Sequence, residues 1–329
     1  MDTLSLFSLA GRRAVITGSS RGIGYGIAEA LAGAGAEIVI NGRDTEALGL
    51  AAEKLAAGGA KVKAVAFDVT NEDSVADGIG HIEAALGPID ILVNNAGMQF
   101  RSPLEDFPVE KFEQVMRTNV ESVFLVGQAV ARKMIPRKRG KIINICSVMS
   151  NVARVSIAPY SASKAAVANL TRGMATDWAK HGLNVNGISP GYIRTELNEA
   201  LLKNEEFNAW VERRTPAGRW ADPAELGGAA IFLSSDAASF VNGHILYVDG
   251  GFTATVRRPH RCRDGGVLER QVGGGRGNRP APPRAVPRRR RLPFQGEHRE
   301  DERRHAADRR RPLAVAGLVR QGTARGSGA

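Results

Sequence analysis

The chain has 329 residues and a formal net charge of +11, from 45 Lys and Arg against 34 Asp and Glu. The excess sits at one end: residues 257–329 carry 20 Arg, no Lys and 7 acidic side chains, so residues 1–256 hold 25 basic and 27 acidic groups, a net of −2. A near-neutral part of that length suits one α/β domain with a substantial core and gives no warrant for a nucleic-acid or membrane-surface binder. No charged start leads into an apolar run, no apolar stretch is long enough to span a bilayer, and two cysteines, Cys146 and Cys262, exclude a disulfide scaffold. A reducing, cytoplasmic setting is expected.

From residue 13 to about 250, short β-rich runs alternate with amphipathic helical runs, without internal repeats. Strands are predicted at 13–17, 37–41, 61–67, 89–93, 140–146, 184–188 and 245–248, with helices that include 23–34, 45–57, 109–131 and 161–178. The cores Ala14-Val15-Ile16 and Ile91-Leu92-Val93 are continuously apolar, as strands covered on both faces require. The pattern predicts a single doubly wound α/β (Rossmann) domain over 1–256, with a mostly parallel seven-stranded sheet and ligands at the carboxyl ends of the strands.

Strand one runs into Thr17-Gly18-Ser19-Ser20-Arg21-Gly22-Ile23-Gly24. A glycine-rich turn between a strand and a helix lets backbone approach a pyrophosphate at the positive helix end. Gly18, Ser20, Arg21, Gly22, Ile23 and Gly24 are therefore assigned to a dinucleotide, although the Gly-x3-Gly-x-Gly spacing differs from the Gly-x-Gly-x-x-Gly fingerprint. An acid at the end of strand two would select NAD by binding the ribose 2′-hydroxyl; an Arg would meet a 2′-phosphate. The chain has Asn41-Gly42-Arg43, with no acid before Asp44. Arg43 and Arg21 are read as a clamp on phosphate, favouring NADP over NAD, while Asp44 caps the next helix. The bland alternative makes both arginines solvated surface charges. Asp68 and Val69 end strand three, Asp68 as an acceptor for an adenine amino group. Asn94-Asn95-Ala96-Gly97 ends strand four, where Asn95, Ala96 and Gly97 hold a turn and also border the cleft.

Tyr160 and Lys164 lie four apart on a predicted helix and so share a face, with Ser147 thirteen positions upstream of the tyrosine. Free tyrosine, with a pKa near ~10, is a poor base at neutral pH, and a neighbouring ammonium is expected to bring it down towards acid/base work. Ser147 is placed to hydrogen-bond a reacting oxygen, and Asn119 to hold a water linking Lys164 to solvent. Taken singly, a snorkelling Tyr and Lys and a capping Ser would serve as well. Cys146 is read as a buried strand-end residue without a catalytic role. No metal site is expected.

Together these motifs, with Pro190-Gly191, resemble the short-chain dehydrogenase/reductase superfamily over residues 7–256. The resemblance implies hydride exchange between nicotinamide C4 and a carbinol or carbonyl carbon. Tyr160 would be acid/base, Ser147 would orient the substrate oxygen, Lys164 would hold the nicotinamide ribose, and Asn119 would complete a proton relay. Pro190, Gly191, Ile193 and Thr195 would border the nicotinamide, a mobile lid would follow at 196–210, and a homotetramer is the implied assembly. Within the superfamily, Ile143-Asn144-Ile145-Cys146-Ser147, Thr171-Arg172-Gly173-Met174 and Arg214-Thr215-Pro216-Ala217-Gly218-Arg219-Trp220 are similar to the branch that interconverts D-gluconate and 5-keto-D-gluconate. Arg101, next to the strand-four turn, would meet the carboxylate. Met149, Asn151 and Phe100 depart from the polar residues usual in that branch, which keeps a 3-oxoacyl or other ketone or sugar reductase open as the alternative. Met149 counts here among the substrate contacts.

After Asp249-Gly250-Gly251 the composition turns to Arg, Pro, Gly and Ala, including Arg288-Arg289-Arg290-Arg291. Residues 257–329 are expected to be a disordered extension, because so little apolar surface cannot offset ordering entropy. Without Lys, and with Phe294 as its single aromatic residue, the extension is read as unselected sequence rather than a nucleic-acid module.

Overall fold

Every strand of the sheet that the sequence predicts forms, and all seven run parallel. The structure is a computed structural model that describes residues 3–255. The strands are β1 (Arg13–Ile16), β2 (Glu37–Gly42), β3 (Val62–Ala66), β4 (Ile91–Asn94), β5 (Gly140–Ile145), β6 (Leu183–Pro190) and β7 (Ile245–Val248). The helices are α1 (Gly22–Gly33), α2 (Thr45–Ala57), α3 (Glu72–His81), α4 (Val109–Met116), α5 (Ser122–Met134), α6 (Ala158–Trp178), α7 (Glu199–Leu202), α8 (Glu205–Arg214) and α9 (Gly227–Ser234). The sheet order is β3-β2-β1-β4-β5-β6-β7. β1 pairs with both β2 and β4, so the winding direction reverses there and a crevice opens above the strand ends.

The period of two along each strand divides the core into two layers. Ala14, Ile16, Ile38, Ile40, Ile91, Val93, Ile143 and Ile145 pack with α1, α2 and α9. Their neighbours Val15, Val39, Leu92 and Ile142 face the other way, onto α3, α5 and α6. Each aliphatic side chain buried in this way contributes on the order of 1.5–3 kcal/mol. A third, smaller cluster of Val148, Met149, Ile157 and Phe252, edged by Tyr160, Tyr192, Trp210 and Tyr247, lies beyond the ends of β5–β7.

The boundaries differ from the sequence reading where local chemistry intervenes. α6 begins at Ala158 rather than 161, because Pro159 suits the first turn of a helix. The predicted helix 109–131 becomes α4, a π turn over Arg117–Glu121 and α5, ending at Met134. β6 extends past 188 to Pro190, held by pairing of Pro190 with Val248. Two expectations, the extension 257–329 and Cys262, lie outside the described residues.

Candidate active site

The turn after β1 is built for close approach. Gly18 has φ +60°, and a Cβ there would stand 2.8 Å from Cα of Ala96. Gly24 is packed rather than lining: a Cβ would meet Asn95 Nδ2 at 2.5 Å and the Gly18 carbonyl at 2.7 Å. The β4 turn knits the loop in place. Asn95 Nδ2 donates to the carbonyls of Thr17 (2.9 Å) and Gly18 (2.8 Å), while Thr17 Oγ1 accepts from the Asn95 and Ala96 N–H groups. Asn94, fully buried, donates instead to Asn144 Oδ1 at 2.9 Å, and Asn144 donates on to Thr171. Asn95 thus holds the turn and reaches the cleft, whereas Asn94 ties β4 to β5 instead. At Arg21, the residue preceding α1, no side chain caps the helix, so its first N–H groups stay available to an anion.

A cavity of about 1000 Å³ opens above this loop. It is lined by Gly18, Ser20, Arg21, Gly22 and Ile23 at one end and by Ser147, Tyr160 and Lys164 at the other. Arg43, Asp68, Val69, Asn95, Ala96, Gly97, Pro190, Gly191, Ile193 and Thr195 also line it, whereas Gly24, Asn119, Arg101 and Met149, likewise expected from sequence, do not. Gln99 and Thr118 also line it and escaped the sequence reading, although each adjoins an assigned motif.

At the end of β2 the carboxylate of Asp44 is occupied as the α2 cap, accepting from the N–H groups of Glu46 (3.1 Å) and Ala47 (3.0 Å). Arg43 and Arg21 border the same cavity, and Arg21 Nε lies 3.3 Å from Glu196 Oε2, an exposed pair of small energetic weight. Asp68 is pushed up by burial, but hydrogen bonds from the Thr70 N–H and hydroxyl, with Arg43 nearby, outweigh that and leave it below the ordinary carboxylate range. Glycines without room for a Cβ, an uncapped helix start and a β2 end without a free acid together fit a dinucleotide that carries a 2′-phosphate.

The reaction centre joins β5 to α6. Lys164 is 6% exposed, and its Nζ donates to the Ile145 carbonyl at 2.7 Å and lies 5.9 Å from the Tyr160 ring centroid. Burial brings Lys164 down to about 8. Tyr160 departs from expectation: burial raises it, and a hydrogen bond with Ser147 and the nearby Arg101 only partly offset this. Lys164 is not among the groups that lower Tyr160, so the lowering expected from its ammonium is not seen. Ser147 fills the capping role considered for it and sits against Tyr160. Its Oγ accepts from the Met149 N–H at 3.1 Å, capping a short turn, and its side chain also meets Tyr160. Cys146 is buried and pushed up to about 11, which fits a structural thiol.

Asn119 lies in the π turn, a distortion that often accompanies function. Its Oδ1 accepts from the Met98 N–H (2.8 Å), and its Nδ2 donates to the Met98 carbonyl (3.0 Å) and to Ser163 Oγ (3.0 Å). Both amide hydrogens are therefore committed to ordering the 97–98 loop against α6.

The residues proposed for substrate separate. Arg101 Nη2 donates to Gln99 Oε1 at 3.2 Å, and Gln99 lines the cavity. Met149 is buried in the third core cluster and does not line the cavity, so its apolar character says nothing against a polyhydroxylated substrate. Phe100 stacks edge-on with Phe107 at 5.5 Å, and Asn151 is exposed. The expected lid is folded as a 3₁₀ turn at Glu196–Asn198 followed by α7 and α8.

Comparison with known proteins says what the chain is similar to. A family model described as Enoyl-(Acyl carrier protein) reductase matches residues 18–253. Gluconate 5-dehydrogenase of Gluconobacter oxydans (strain 621H) is 58% identical over 256 residues, covering 78% of this chain and 100% of that protein. The 5-keto-D-gluconate 5-reductase of Escherichia coli (strain K12) is 52% identical over 251 residues, covering 76% and 99%. The crystal structure of a gluconate 5-dehydrogenase from Burkholderia cenocepacia J2315 in complex with NADP and tartrate has a TM-score of 0.75 at 53% identity, covering 77% and 99%. The chain belongs to the short-chain dehydrogenase/reductase family, as an oxidoreductase acting on CH–OH groups.

Proposed function

We propose that the protein interconverts D-gluconate and 5-keto-D-gluconate with NADP as its cofactor. Identity above 50% over nearly the full length of two relatives with that activity carries the reading. Arg43, at the strand end where an NAD-selecting acid would stand, supports the choice of NADP. When bound, NADP supplies the hydride acceptor at nicotinamide C4. Gly18, Ser20, Gly22 and the start of α1 hold the pyrophosphate, Arg43 and Arg21 the 2′-phosphate, Asp68 and Val69 the adenine, and Lys164 the nicotinamide ribose. Pro190, Gly191, Ile193 and Thr195 border the ring.

In the oxidative direction the Tyr160 phenolate takes the C5 hydroxyl proton while the C5–H bond breaks with its electron pair leaving carbon. In the reductive direction the Tyr160 phenol returns that proton to the carbonyl oxygen. Ser147 hydrogen-bonds the same oxygen and favours the phenolate. Lys164 places positive charge beneath Tyr160, and Asn119 orders the 97–98 loop beside it. Arg101 faces the substrate carboxylate.

The domain boundary is placed at residue 256, and the protein is placed in the cytoplasm as a homotetramer. Val109 (69% exposed), Phe112 and Phe124 on α4 and α5 leave apolar surface that other copies would cover. Light scattering behind size exclusion checks the assembly. Turnover of D-gluconate with NADP tests the reaction; turnover of a 3-oxoacyl thioester with NADPH, and none of gluconate, overturns it.

A further inference from the structure

Near Tyr160, two arginines on neighbouring loops, Arg101 and Arg154, act on each other electrostatically. Arg101 lies on the loop after β4 and Arg154 on the loop before α6, and the Ser102 N–H donates to the Ser156 carbonyl at 3.2 Å, tying the two loops together. Each arginine acts electrostatically on its surroundings: Arg154 on Arg101, and both on Tyr192. Among the described residues neither forms an ion pair, and Arg154 Nε is buried without a hydrogen-bond partner. Arg154 instead lies with its guanidinium carbon 4.9 Å from the Phe207 ring centroid, on α8. Tyr192 Oη, close to both arginines, is likewise buried and unpartnered. Ser156, two residues after Arg154, holds φ +68°, a strained value for a non-glycine residue that this loop sustains.

A buried donor without a partner costs on the order of 1–3 kcal/mol, and two like charges held close add to it. A ligand carrying an anion and hydroxyl groups removes both penalties. We infer that Arg154 joins Arg101 in a two-arginine clamp on the substrate carboxylate, with Tyr192 Oη donating to or accepting from an adjacent substrate hydroxyl. The inference rests on the gluconate reading for the identity of the substrate, but the clamp itself selects any short polyhydroxylated carboxylate. Phe207 stacked on the guanidinium ties α8 to the same pair of loops.

The test uses full-length enzyme saturated with NADP. Isothermal titration with D-gluconate and with tartrate, and steady-state kinetics with gluconate and with the neutral alditol D-glucitol, are compared for wild type, Arg154→Met and Arg154→Lys. A charge-assisted bond lost from the clamp predicts a roughly 10- to 100-fold weaker gluconate and tartrate affinity in Arg154→Met. The neutral alditol and NADP affinity should change less than about threefold, and Arg154→Lys should recover part of the loss. Equal carboxylate affinity in wild type and a folded Arg154→Met, judged by circular dichroism, overturns the clamp. So does an equal loss for the neutral alditol. Wild type that binds gluconate or tartrate through Arg154 without oxidising gluconate leaves the clamp standing and refutes the gluconate reading instead.

Discussion

The two ends of the cavity are made by different means. The end above β1 and β2 is backbone: Gly18 and Gly22 at positive φ, the uncapped start of α1, and a loop held by Asn95 and Thr17. The end above β5 and β6 is side chains, Ser147, Tyr160 and Lys164, with Arg101 and Arg154 on neighbouring loops outside the lining, and they are drawn from segments that meet only in the fold. Backbone donors suit the phosphates common to all dinucleotides. Side chains suit discrimination, because one substitution changes a charge or a hydrogen bond without moving the chain. Errors at the first end should cost cofactor binding, and errors at the second should cost turnover or substrate choice.

The largest expected effect is at Tyr160. Tyr160→Phe should lower kcat by roughly 10³-fold while leaving NADP affinity within about twofold, measured by steady-state rates and by quenching of intrinsic fluorescence. A cofactor affinity that falls with the rate would break the division between the two ends.

Lys164 comes next, through stability. Its folded value of about 8 lies below the free lysine value of 10.5, so between those pH values the unfolded chain binds more protons and stability rises with pH. Lys164→Met removes this burden, worth on the order of 3 kcal/mol below pH 8. Urea unfolding of the cofactor-free protein should show the variant gaining on wild type at pH 7 and that gain shrinking as pH rises from 8 towards 10.5. A gap independent of pH would mean that Lys164 is not held at low proton affinity.

At the cofactor end, Arg43→Ala should weaken NADP binding by roughly 10- to 100-fold and leave NAD within about threefold, read by titration of each nucleotide. Equal losses for both would assign Arg43 to structure. The smallest effect is expected at Met149, where Met149→Leu in the third core cluster should move KM for gluconate by less than about threefold. A large KM change would return Met149 to the substrate wall.

Much of the first end was readable along the chain, because its parts are contiguous. Residues 17–24 contain the whole phosphate turn, and Asn41-Gly42-Arg43 and Asp44 carry their meaning from position alone: Asp44 does cap α2. The second end was read in its types but not its contacts. The spacing of Tyr160 and Lys164 placed them on one face, yet whether the ammonium or burial governs the phenol depends on what else is packed there. Met149 follows Ser147 by two residues, and only the short turn capped by Ser147 sends it into the third core cluster. Arg154 attracted no notice because nothing in its neighbours along the chain marks it.

Sequence alone determined the winding of the sheet, since alternating apolar runs and amphipathic helices allow few other ways to bury both strand faces. Local spacings also located the phosphate turn and the Tyr160–Lys164 pair, and the resemblance those motifs carry implied the hydride chemistry. The tertiary structure decided how the side chains at the substrate end are oriented and which of their charges go unpaired. Those properties depend on burial and on loops more than fifty residues apart, such as those of Ser102 and Ser156, whose approach is a property of packing and not of any stretch of the chain.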